Sequence, residues 1–178
     1  FTARENSNKN LSNSSNKKTA TISTNVTNNN NGFGNNVNLF NVYDGGKLVV
    51  NSGNFITTNN SRGSSIYMED GATLEVNGGT FNAAYYVIGT EGNVSVTING
   101  GHLESTSTSK SGTWAYAIKI VEGEFTMNGG TIIGVHGVLA LDGAVSGTIN
   151  NGEIIVNESF VGANDGYYCM YVTETSSL

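Results

Sequence analysis

The sequence contains no proline, a single cysteine and few charges. With one thiol, Cys169, no disulfide within the chain is available. Charged residues make up 12% of the 178 positions, about half the usual share. No apolar run reaches the roughly 18 residues that a membrane-spanning helix needs, so insertion into a bilayer is not expected. In place of proline the chain is punctuated by 24 glycines, with abundant Asn, Ser and Thr. Such a composition has little helix propensity and suits an all-β protein.

The net charge of −6 is unevenly spread. Residues 1–40 hold Arg4, Lys9, Lys17 and Lys18 against Glu5, a net +3. Residues 41–178 hold Lys47, Arg62, Lys110 and Lys119 against thirteen acids, a net −9. An acidic body repels nucleic acid and anionic membrane, so neither is an expected partner. Residues 1–19 lack hydrophobic periodicity and read as a polar lead-in. The chain begins at Phe1 and ends on strand-like sequence, which reads as part of a longer protein.

One frame recurs along the rest: LVVNSGNF from Leu48, LEVNGGTF from Leu74, VTINGGHL from Val96, FTMNGGTI from Phe125 and GTINNGEI from Gly147. Its Asn falls at Asn51, Asn77, Asn99, Asn128 and Asn150, in steps of 26, 22, 29 and 22 residues. Within each frame apolar and polar residues alternate with a period of two, the mark of a strand with one buried face. Gly then allows a corner, because it accepts positive φ cheaply. A second short strand follows, and then a third apolar stretch ending in an acid and Gly: Asp44-Gly45, Asp70-Gly71, Glu91-Gly92, Glu122-Gly123 and Asp142-Gly143.

Three short strands with three corners cannot bury their own apolar side, but stacked on the next unit they form a continuous core. Like therefore sits above like. The predicted fold is all-β: a single right-handed parallel β-helix of about five coils over residues 20–178, with coil repeats from about 39 to 174. The framing Asn residues should stack about 4.8 Å apart and bond amide to amide. Leu48, Leu74, Val96 and Phe125, with Val50, Val76, Ile98, Met127 and Ile149, should point inward, as should Phe55, Phe81, Leu103, Ile132 and Ile154.

These NGGT-type coils resemble the repeats of the pectin-lyase-like β-helix superfamily, closest in style to coils of bacterial surface adhesins and autotransporter passenger domains. The resemblance implies a secreted or cell-surface location. It implies less about activity, since that fold carries lyases, hydrolases, tailspike depolymerases and adhesins alike.

The chemistry on offer is sparse. Stacked on one edge, Asp44, Asp70, Glu91, Glu122 and Asp142 would repel one another, and a Ca²⁺ ion between rungs would relieve them. Equally, Asp-Gly and Glu-Gly are ordinary turn chemistry, no Ca²⁺-loop motif is present, and the expectation is no cofactor and no metal. His102 and His136 have no aligned Ser or Cys partner, and the acids fall in separate coils, so no catalytic set is read. Three stretches vary in length: Thr57–Ser65, Glu104–Tyr116 and Val156–Tyr168. Loops on a rigid scaffold carry function, and these bring Arg62, Lys110, Trp114, Tyr116, Phe160, Asp165, Tyr167 and Tyr168. Aromatic rings with Asn, Asp and Arg suit sugars, although Trp114 or Tyr116 folded back would instead seal the core. The expected role is a non-catalytic adhesin or carbohydrate-binding module, its partner a glycan or a surface protein. The alternatives are a β-helix polysaccharide lyase, hydrolase or tailspike-type depolymerase, and a structural stalk spacer.

Overall fold

The computed structural model describes residues 21–24, 38–58, 63–107, 116–135, 137–157 and 168–178. These residues contain strands and no helix. They wind as a parallel β-solenoid of about five turns, six rungs deep. The first rung holds β1 (Thr21–Thr24), β2 (Phe40–Val42) and β3 (Lys47–Val50). The second holds β4 (Asn54–Thr57), β5 (Ser64–Met68) and β6 (Thr73–Val76), and the third β7 (Thr80–Ala83), β8 (Tyr86–Thr90) and β9 (Asn93–Ile98). Next come β10 (His102–Ser105) with β11 (Tyr116–Met127), β12 (Thr131–Gly134) with β13 (Gly137–Ile149), and β14 (Glu153–Val156) with β15 (Tyr168–Val172).

Three outer faces result. The first stacks β1, β4, β7, β10, β12 and β14. The second stacks β2, β5 and β8, then the leading halves of β11 and β13, then β15. The third stacks β3, β6 and β9 under the trailing halves of β11 and β13, and Ser177 adds an isolated parallel bridge to Ser146. Every pairing between these strands is parallel.

The alternation in each frame decides which side chains enter. Phe55, Phe81, Leu103, Ile132 and Ile154 are in register down the first face. The Phe55 and Phe81 rings stack at 4.5 Å. Val50, Val76, Ile98, Met127 and Ile149 form a second column. Ile98, Met127, Phe81 and Leu103 have no solvent exposure, and each such burial contributes about 1.5–3 kcal/mol. Leu48, Ile149 and Ile154, on the outer rungs, are only partly buried against the same core. Leu48, Leu74, Val96 and Phe125 also stack in register, but Gly147 takes the next position. A Cβ there would come within 2.8 Å of both Leu141 and Leu178 side chains, which occupy its space.

The five framing asparagines line one corner and bond in a single direction. Asn77 Nδ2 donates to Asn51 Oδ1 at 2.9 Å, and Asn99, Asn128 and Asn150 each donate to the Asn below at 2.8 Å. Below each interior Asn-Gly, the carbonyl of the preceding Asn comes so near that a Cβ on Gly78, Gly100 or Gly129 would lie 2.8–2.9 Å from it. At these three interior corners both residues of the pair are used, whereas Ser52 and Asn151 follow the framing Asn on the outer rungs.

The acid-Gly corner departs from the sequence expectation in its upper half. At Asp44, Asp70 and Glu91 the chain breaks between strands. At Glu122 and Asp142 the strand runs through, with a register shift between Ile120 and Glu122. Across this corner β13 carries one residue more than β11, so Gly143, at φ of 140°, lies in a bulge opposite Val121, while Gly123, at φ of 112°, bends β11 in register with Val94 and Val145.

Candidate functional site

The corner between the second and third faces opens into a groove of about 620 Å³ that crosses five rungs, from Gly71–Thr73 to Thr175 and Ser177. The strand register builds its floor. Lys47, Thr73, Ser95, Glu124, Ser146 and Ser177 occupy equivalent positions on successive rungs. Asn93, Glu122 and Ala144 form a shorter column beside them. Glu122 and Glu124 are both exposed and flank Gly123. A third outward column, Glu75, Thr97, Thr126 and Thr148, runs alongside. The surface is therefore a lattice of hydroxyls and carboxylates, about 4.8 Å apart along the axis. Lys47, at its lower end, is held 3.4 Å from Glu75.

The acids of the acid-Gly column have separate engagements. Asp70 Oδ1 accepts from the Asn93 amide at 2.8 Å. Glu91 accepts from the Tyr67 hydroxyl. Asp142 pairs with Lys119 at 2.8 Å. Glu122 points into the groove region, and the side chain of Asp44 lies at the exposed lower turn. Among the described residues no three His, Cys, Asp or Glu side chains converge as metal ligands. His102 Nε2 lies 3.4 Å from Glu104, and His136 is outside the described residues.

Arg62, Lys110, Trp114, Phe160, Asp165 and Tyr167 lie outside the described residues. In chain order the three variable stretches fall between β4 and β5, β10 and β11, and β14 and β15, each time between a strand of the first face and one of the second. Tyr116 opens β11 and is 7% exposed. It packs with Tyr85, Tyr86 and Ala140 outside the main core, and its ring centre is 6.2 Å from that of Tyr171. Tyr168 opens β15, in register with Gly137.

The groove was not found by sequence reasoning. Its signal is the fourth residue before each framing Asn: Lys47, Thr73, Ser95, Glu124 and Ser146. These share no chemistry as residue types, and only stacking turns them into one surface.

No family model, curated protein or solved structure matches the chain.

On the second face, Tyr67 is held protonated beyond the ordinary tyrosine range. Burial is the main cause, followed by its hydrogen bond to Glu91 and the charges of Glu91 and Glu69. A folded-state pKa raised above the unfolded value contributes stability below the unfolded value, about 10, and loses it as pH rises further. Alkaline spectrophotometric titration should show a late-ionising component that includes Tyr67. In Glu91→Gln that late component should move down toward the rest, and an unchanged titration would contradict the assignment.

Proposed function

We propose that this solenoid is a non-catalytic ligand-binding module of a secreted or cell-surface protein, in the manner of the bacterial adhesin coils that its repeats resemble, and that its ligand is an extended neutral or amine-bearing glycan. The observation that carries this reading is the groove, a rigid track of Thr73, Ser95, Glu124 and Ser146 at strand spacing with Glu122 beside it. A chain of sugars presents hydroxyls repeatedly along its length, and stacked hydroxyls and carboxylates supply matching acceptors and donors. The acidic lining and the −9 of residues 41–178 disfavour a polyanionic ligand.

A glycan array covering neutral, amino and sulfated polymers tests the reading. Binding to neutral or amino glycans is expected, with a loss of roughly tenfold or more in Glu122→Gln/Glu124→Gln, since each charge-assisted hydrogen bond is worth about 1.5–3 kcal/mol. Selective binding to sulfated glycans would overturn it. If Trp114→Ala abolishes binding while the double Glu variant binds normally, the ligand surface is the corner of the variable stretches instead.

The unbroken amide ladder supports a second reading, a structural spacer. Absence of binding across the array, with a normal melting transition, would favour it.

A further inference from the structure

The chain contains five Asn-Gly pairs, at Asn31, Asn77, Asn99, Asn128 and Asn151. Asn-Gly is the dipeptide most prone to spontaneous deamidation, because Gly leaves its backbone nitrogen unshielded. That nitrogen, on losing its proton to solvent base, bonds to the Asn Cγ. The Cγ–Nδ2 bond breaks, ammonia leaves, and a cyclic imide remains. Water then opens the imide to Asp or to an isoaspartyl linkage. For this to happen the Asn side chain must rotate until Cγ meets the following nitrogen.

We propose that the solenoid divides its Asn-Gly pairs into two classes: the amide ladder protects Asn77, Asn99 and Asn128, and Asn151 is a native-state deamidation site. Each of the three interior members donates one ladder bond and accepts another. Rotation of any one of them toward its glycine breaks both. The Gly100 nitrogen is further occupied by a 3.3 Å bond to the Val76 carbonyl. Asn151 sits one residue beyond the top of the ladder. It is exposed, and its neighbour Asn150, not Asn151, supplies the ladder bond to Asn128. The arrangement has a structural origin. The corner demands Asn for the ladder and Gly for clearance from the carbonyl below, so the fold is built from its most labile dipeptide and shields it by the same bonds. An isoaspartyl linkage at Asn99 would add a backbone methylene and shift the register of the rung.

The test is incubation of the whole chain at mildly alkaline pH, folded and in urea, with peptide mass spectrometry of each pair. In urea Asn77, Asn99, Asn128 and Asn151 should convert alike. In the folded chain Asn151 should convert at close to its urea rate, and Asn77, Asn99 and Asn128 at least roughly tenfold more slowly, because local opening must come first. Equal conversion of Asn151 and the ladder pairs in the folded chain would overturn the proposal. Asn128→Ser then separates the ladder from the fold at large. It removes the bond that Asn99 accepts and leaves both bonds of Asn77 intact. Conversion at Asn99 should accelerate severalfold while Asn77 keeps its rate. No change at Asn99 would mean that the backbone alone gives the protection. If the variant proves less folded, Asn77 accelerates with Asn99, and the wild-type comparison decides.

Discussion

Ile98→Asp is expected to abolish cooperative melting of the chain. Ile98 has no exposure and sits mid-column between Val76 and Met127, inside the apolar core. The substitution removes an apolar side chain and leaves an unpaired polar group in its place. A cost above about 4 kcal/mol is a large part of the roughly 5–15 kcal/mol that holds a domain together. Glu75→Lys, one residue before Val76 on the same strand, faces outward. It loses the Lys47 pair and a 3.0 Å bond from Asn77, together about 1 kcal/mol or less for exposed groups. Thermal unfolding followed by circular dichroism measures both. Similar curves would show that the inward and outward columns are misassigned.

Gly123→Ala should be nearly as damaging, although it adds a single methyl group at a partly exposed position. At φ of 112° the residue is in a conformation that L side chains rarely adopt. A Cβ built there would collide with the Val94 carbonyl oxygen and lie 2.6 Å from the Val94 nitrogen. Both belong to the rung below, paired in register with Gly123, so relief requires separating β11 from β9. A loss of more than roughly 3 kcal/mol is expected, from strain and overpacking together. Gly45→Ala provides the reference. Its φ is 69° and the space around it is open, so only the conformational cost of about 1–2 kcal/mol applies. The two variants differ in backbone contact, and chemical denaturation of each reports that difference. Equal midpoints would mean that the backbone at Gly123 yields freely.

Much of the fold was legible because the stacking demands repetition. A parallel solenoid sets equivalent residues one rung apart, so the apolar alternation around Asn77 had to reappear around Asn99 and Asn128. The corner Gly had to follow each time for the same steric reason. The upper acid-Gly corner was less legible. Glu122-Gly123 and Asp142-Gly143 read as turns like Asp70-Gly71, yet the long strands β11 and β13 run through both, with Gly123 as an in-register bend and Gly143 in a bulge. Both corners use positive φ, and the dipeptide alone does not distinguish them. The groove was hidden for a different reason. Its column mixes Lys, Thr, Ser and Glu, and what unites them is position relative to the Asn. Tyr116 follows a stretch of variable length and reads as an aromatic on a loop. It is the first residue of a strand, and its ring crosses the space that a side chain at Gly137 would need.

The one-way run of amide bonds has a mechanical counterpart. Backbone bonds between rungs, such as Asn77 N to Val50 O at 2.7 Å and Asn99 N to Val76 O at 2.7 Å, join one rung to the next as the ladder does, along the stacking axis. A load applied along that axis falls on these layers in series. Each layer carries the full tension, and the terminal layer, with a neighbour on one side only, gives way before those inside. A load across the axis is shared by all layers at once. The molecule is therefore strong when sheared sideways and extensible when drawn lengthwise, paying out one rung at a time while those behind it stay wound.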